Sequence, residues 1–385
     1  MNNFIFYNPT VIVFGKDRLH ELTNYIPAGS KVLITYGGGS VIKSGTLQKV
    51  KDALQTNTVL EFGGIEPNPR FETLMKAVEL IKKENATFLL AVGGGSVMDG
   101  TKFISLAVKY NGNPEDILYH GFKPVDLKEA MPLGNVVTLP ATGSEMNIAG
   151  VISYKKGKYG VLSPLTFPKF SFLDPTLTYT LPETQVANGV VDTFVHVMEQ
   201  YLTFPVEARF QDRTAEGILQ TLIEIGRKTI DNPQDYDARA NLVWCSTMAL
   251  NGLIGAGVPQ DWATHMIGHE LTASFGIDHA KTLAIIMPAL LEVRFEQKKS
   301  KLVQYAERVW KIENGNDDEK ATLAISKTRE FFESLGVKTR LTDYGVTQFA
   351  FDDILTGLEE KKLTALSETR DVTLDISRLI LEKAL

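Results

Sequence analysis

Thr87-Phe88-Leu89-Leu90-Ala91-Val92-Gly93-Gly94-Gly95-Ser96-Val97 packs an apolar run, three glycines and the start of a helical pattern into eleven positions. A run that never alternates with polar residues suits a strand buried on both faces. The same order recurs around it. Val32–Tyr36 stops at Gly37-Gly38-Gly39-Ser40 and leads into a helical stretch from Val41 to Leu54. Thr58–Phe62 ends at Gly63-Gly64, and Phe71–Ile81 then carries apolar residues at helical spacing. Asn135–Leu139 is a fourth strand. Alternation of this kind predicts an α/β domain, a Rossmann-like parallel sheet with helices on both faces.

Beyond Pro182 the texture changes. The windows Thr184–Tyr201, Arg209–Ile225 and Ala238–Leu253 keep helix-period apolar positions, while β-branched runs nearly vanish. The pattern predicts two domains: α/β over residues 1–181 and all-helical over residues 182–385.

Composition narrows the function. Forty basic residues against forty-six acidic give a net charge of −6, and no stretch clusters cations beyond pairs such as Lys298-Lys299. That argues against nucleic acid, since neutralising several phosphates needs a basic footprint. The single Cys245 excludes an intrachain disulfide and suits a reducing compartment. The apolar run Leu283–Leu291 is too short to span a membrane and contains Pro288. The first ten residues have no basic region ahead of their apolar ones, so no secretory signal is expected. The expectation is a cytoplasmic protein with neither nucleic-acid nor membrane partners.

In a parallel sheet, ligands bind beyond the carboxyl ends of the strands, where helix N-termini offer free N–H groups. Gly93–Ser96 and Gly37–Ser40 both fall at such ends. They read either as tight turns needing positive φ or as cradles for a nucleotide. Neither matches GxGxxG or GxxxxGK[ST].

Four of the six histidines lie close together in sequence: His196, His265, His269 and His279. Asp192 precedes His196 by one helical turn, and His265 and His269 form a second i, i+4 pair. Such spacing puts two side chains on one helix face, within reach of one metal ion. Spacing alone nominates His265 and His269 as joint ligands and leaves His279 open.

Taken together, Gly93–Lys102, the Pro67-Asn68-Pro69 turn, Thr138–Glu145 and the histidine helices resemble the iron-containing (group III) alcohol dehydrogenases over almost the whole chain. The resemblance is strongest to the NADPH-dependent aldehyde reductase and butanol dehydrogenase branch. It implies a dinucleotide-binding N-terminal domain and a helical, metal-binding catalytic domain, working as a homodimer. Carried over residue by residue, it implies a divalent metal, Zn²⁺ or Fe²⁺, on Asp192, His196, His265 and His279. His269 matches a histidine near the nicotinamide that is not a ligand, a candidate proton relay or a wall of its pocket. NADP(H) contacts are implied at Gly37, Gly38, Gly39, Ser40, Asn68, Gly94, Gly95, Ser96, Asp99, Thr138, Thr142, Asn147, Lys158 and Leu177.

Two departures matter. The family's threonine-rich segment is shortened to Thr138–Glu145, as in the aldehyde reductase branch. Where many relatives carry an acid after the first strand, this chain has Tyr36 and Gly37–Ser40, which favours NADP over NAD. The implied activity is reduction of short- to medium-chain aldehydes, or oxidation of primary alcohols. The metal polarises the carbonyl and NADPH supplies hydride. A polyol (glycerol-type) dehydrogenase is the alternative. The apolar Gly252–Val258 segment before the histidine helix argues against a heavily hydroxylated substrate.

Overall fold

The computed structural model describes residues 1–118, 125–155 and 157–385. Two compact units emerge, Tyr7–Leu181 and Pro182–Leu385, and Met1–Phe6 packs with the second. Asn2 N–H bonds to Gly257 O at 2.9 Å, which ties the N-terminal segment to a turn of the helical unit.

The first unit is built on a six-stranded parallel sheet. Its strands are β1 (Val11–Phe14), β2 (Lys31–Tyr36), β3 (Thr58–Phe62), β4 (Phe88–Gly93), β5 (Leu133–Val137) and, later in the chain, Phe170–Leu173. An antiparallel hairpin, β6 (Ala149–Tyr154) with β7 (Gly157–Leu162), precedes that last strand, β8. The order across the sheet is β1-β8-β5-β4-β2-β3. β4 is buried at every position, as its unbroken apolar run requires. Phe88, Phe170 and Phe172 fill the core on one face with Val32, Ile34 and Leu90.

The helical stretch expected over Val41–Leu54 is two helices, α1 (Ser40–Lys43) and α2 (Thr46–Ala53). They part at Gly45, whose φ of 75° ends one helix and caps the next. α3 (Phe71–Glu84) and α4 (Gly95–Ala107) follow β3 and β4. β1 and β8 escaped the sequence reading because each is only four residues long.

The second unit holds α5 (Glu183–Tyr201), α6 (Arg209–Asp231), α7 (Tyr236–Ala249), α8 (Ala263–Phe275), α9 (His279–Val293), α10 (Phe295–Arg308), α11 (Asp317–Ser334), α12 (Phe351–Glu360) and α13 (Leu374–Lys383). A two-residue antiparallel pairing, β9 (Ala365–Leu366) with β10 (Val372–Thr373), is the sole sheet among its described residues. α5 is buried around almost its whole circumference and packs against α6, α7 and α9. A helix buried on nearly all sides lies at the centre of its unit.

Candidate metal centre and nucleotide-binding turns

Asp192 and His196 occupy successive turns of α5 and are both buried. α8 brings His265 to them and α9 begins at His279. Asp192 Oδ1 lies 3.6 Å from His196 Nδ1, 3.9 Å from His265 Nε2 and 3.8 Å from His279 Nε2. Ligand atoms of Asp192, His265 and His279 all fall within 4.8 Å of one another. His196 lies beside this trio, its ring stacked on that of His265 with centroids 4.6 Å apart. The His269 ring stands 5.0 Å from the His279 ring and 6.2 Å from that of His265. The fold therefore gathers His279 with Asp192 and His265, and sets His269 to one side, against the pairing that HxxxH spacing favours.

Asp192 Oδ1 is buried and receives no hydrogen bond from the described residues. The gaps of 3.6–3.9 Å to the imidazole nitrogens are too long for hydrogen bonds and match two metal bonds of about 2 Å meeting at an angle. One carboxylate with imidazoles is a donor set that fits Zn²⁺ or Fe²⁺.

Two neighbours of this centre are absent from the sequence reading. Glu199, 2% exposed, accepts hydrogen bonds from the Thr264 N–H (2.7 Å) and the His265 N–H (3.4 Å), and its second oxygen engages His265 Nδ1. Burial raises its carboxyl well above the ordinary value and nearby Asp261 adds to this, while the backbone donors and His196 oppose it. Trp262 caps α8 in the left-handed region at φ 64°, with its ring 5.3 Å from that of His265. The legible signal for Glu199 was its place seven residues after Asp192, on the same helix face. Nothing in the sequence singles out Trp262.

In the α/β unit, the two glycine turns are neighbours because β2 and β4 pair, Tyr36 opposite Val92. Gly93, Gly94 and Gly95 do not have positive φ. What demands glycine there is close approach. A Cβ on Gly95 would lie 2.6 Å from Thr142 Cγ2, and one on Gly94 would lie 2.9 Å from Leu139 Cβ. The Thr138–Thr142 segment thus lies directly against the start of α4, with the Thr138 N–H bonded to Gly93 O at 2.9 Å. Gly39 does need its freedom, capping α1 at φ 103°. Gly37 approaches Val97, and Gly38 and Ser40 complete that turn at the head of α1.

The Asn68 N–H donates to Ser96 Oγ at 3.2 Å, which joins the Pro67–Pro69 turn to the glycine loop. Asp99 accepts from Ser144 Oγ (2.7 Å) and from the Val151 N–H (2.9 Å). Lys102, fully buried, donates to Ser144 Oγ (2.9 Å), Asn147 Oδ1 (2.9 Å) and Ala149 O (2.8 Å). Burial lowers its ammonium to about 8, against the pull of Asp99 and Glu145. The Asp99 carboxyl is raised by burial, with Lys102 the strongest opposing influence and the Lys158 charge a weaker one. Asn147 is thus held by Lys102 beneath the turn. Lys158 sits on β7 opposite Ser153. Leu177 packs against the sheet's core.

Family models describe the two parts of the chain in turn: iron-containing alcohol dehydrogenase over residues 9–175, and the Fe-containing alcohol dehydrogenase family C-terminal domain over residues 186–369. The chain belongs to the iron-containing alcohol dehydrogenase family and is an oxidoreductase. It is 58% identical to the NADPH-dependent aldehyde reductase YqhD of Escherichia coli K12, over the full length of both chains. It is 42% identical to a probable NADH-dependent butanol dehydrogenase of Bacillus subtilis, over 92% of each. Among solved structures, E. coli YqhD superposes with a TM-score of 0.98 at 57% identity, covering 100% of this chain and 99% of the other. The NADH-dependent butanol dehydrogenase A of Thermotoga maritima superposes at 0.94 and 34% identity, again covering 100% and 99%.

Proposed function

We propose that the protein is an NADPH-dependent aldehyde reductase. It would catalyse hydride transfer between the nicotinamide and the carbonyl carbon of short- to medium-chain aldehydes, and the reverse oxidation of primary alcohols. The observation that carries this is the convergence of Asp192, His265 and His279 from three helices, beside His196. Their donor set fits a divalent metal, Zn²⁺ or Fe²⁺, with all four residues as ligands. Such a metal, when bound, supplies Lewis-acid polarisation of the carbonyl oxygen.

The chain's own residues supply the rest. Asp192 offsets part of the cation's charge in a buried site. His269, beside the His279 ring, is the group placed to hold or pass a proton. In the α/β unit, the N–H groups at the head of α4, with Gly94, Gly95 and Ser96, suit a pyrophosphate. Asn68, Thr138 and Thr142 border that turn, and Asp99, Asn147 and Lys158 brace its far side. We assign Leu177 to the same cofactor site. Gly37–Ser40 carries no acid to repel a 2′-phosphate, which favours NADP(H). A homodimer belongs to this reading. The exposed Phe4, Ile5 and Phe6 offer apolar surface of the kind a partner covers.

The test is a steady-state comparison of NADPH and NADH with short-chain aldehydes, with the metal content of the sample measured alongside. NADPH should be preferred by about one to two orders of magnitude in kcat/KM, or ~1.4–3 kcal/mol. Gly38→Asp should shift that preference toward NADH. A Cβ on Gly38 meets nothing within 4 Å and its φ is not positive, so the substitution tests charge without strain. Better use of NADH by the unaltered protein overturns the cofactor assignment.

A further inference from the structure

We infer that Glu199 is a positioning residue for the metal centre, fixing the orientation and tautomer of His265. The inference rests on the reading that His265 is a ligand. Glu199 lies on α5 about two turns beyond Asp192, so one helix carries two proposed ligands and the carboxylate that orients a third. Its two oxygens have separate tasks. Oε1 takes the N–H groups of Thr264 and His265 at the head of α8. Oε2 engages His265 Nδ1. With Nδ1 tied back in this way, Nε2 faces Asp192 Oδ1 at 3.9 Å. A carboxylate on one imidazole nitrogen selects the tautomer that leaves the other nitrogen's lone pair for a cation.

Glu199 is itself held. Its carbonyl accepts the Asp261 N–H at 2.9 Å. The buried Lys298 then grips Asp261 Oδ2 (2.8 Å), Leu202 O (2.6 Å) and Glu368 Oε1 (3.1 Å). These contacts fix the backbone at Glu199, and the Thr264 and His265 N–H groups anchor its carboxyl group beside the imidazole. Glutamine at 199 cannot perform both tasks. It offers one acceptor oxygen where two are used, and its NH₂ must face either the backbone donors or the imidazole N–H.

The experiment uses full-length protein, stripped of metal and reloaded with Zn²⁺ in competition with a chromogenic chelator. Glu199→Gln should bind Zn²⁺ about 10–100-fold more weakly than the unaltered protein. His265→Ala should lose more. In the zinc-loaded protein with ¹⁵N-labelled histidine, one strongly downfield, exchange-protected Nδ1–H resonance is expected. It should disappear in His265→Ala and move upfield in Glu199→Gln. Unchanged affinity and resonance in Glu199→Gln, with zinc lost in His265→Ala, overturns the role of Glu199 and leaves the ligand reading intact. Zinc binding by His265→Ala as tight as in the unaltered protein overturns the ligand reading and this inference with it. Should Glu199→Gln fail to fold, Glu199→Asp and the resonance of the unaltered protein decide. Full zinc affinity in Glu199→Asp, or no downfield Nδ1–H proton in the unaltered protein, overturns the inference.

Discussion

At the residue scale, the sharpest assignment separates two histidines whose rings are 5.0 Å apart. His279 opens α9 with Nε2 3.8 Å from Asp192 Oδ1, whereas His269 stands one turn beyond His265 and outside the trio. His279→Ala should therefore lose both bound metal and turnover. His269→Ala should keep the metal and change the rate or its pH dependence. Metal analysis and pH–rate profiles of the two variants decide this, and loss of metal confined to His269→Ala would reverse the assignment.

At the scale of elements, a single cation joins α4 to the segment Ser144–Ala149. Lys102 is fully buried and reaches three acceptors in the segment Ser144–Ala149. Lys102→Met leaves these acceptors without their donor and should cost about 2–4 kcal/mol. In a unit of this size that lowers the melting temperature by about 4–16 °C. The pH dependence has a definite sign. Burial lowers Lys102 from the ordinary 10.5 to about 8. Between those values the unfolded chain holds a proton that the folded chain lacks. Its contribution to stability therefore rises with pH across that window. Urea midpoints at about pH 7.5 and 9.5 should show the rise in the unaltered protein and a flatter response in Lys102→Met. Equal slopes in the two proteins would show that Lys102 is not the titrating group.

At the scale of the whole molecule, the proposed ligands come from α5, α8 and α9, so one ion would tie three helices of the second unit together. An ion held at 100 times its Kd stabilises the folded state by ~2.7 kcal/mol. Stripping it should lower the melting transition of the helical unit by about 5–10 °C, and added Zn²⁺ should restore it. Calorimetry with and without a chelator measures this, and an unmoved transition argues against a metal that bridges the helices. Among the described residues, no helix is long and apolar enough to cross a membrane.

The strand–glycine–helix repeats around Val32–Tyr36 and Phe88–Gly93 determined the α/β class from sequence alone, because burial on both faces leaves a local mark in these two central strands. The candidate ligands were nominated from the sequence too: spacing paired His265 with His269, and the family resemblance put His279 in that place. Packing brings His279 together with Asp192 and His265. The crossing of α5, α8 and α9 sets those distances, and no local pattern records a crossing. The same holds for the glycines of the α4 turn. The sequence suggested positive φ or a ligand, while the structure shows that Thr142 and Leu139 occupy the space where a Cβ would stand. Lys102 follows Asp99 by one turn and Glu199 follows Asp192 by two, and spacing of that kind does not say what either holds. Their partners lie 42 to 47 and 65 to 66 residues away in the chain, and hydrogen bonds at such separations exist only once tertiary packing has brought the segments together.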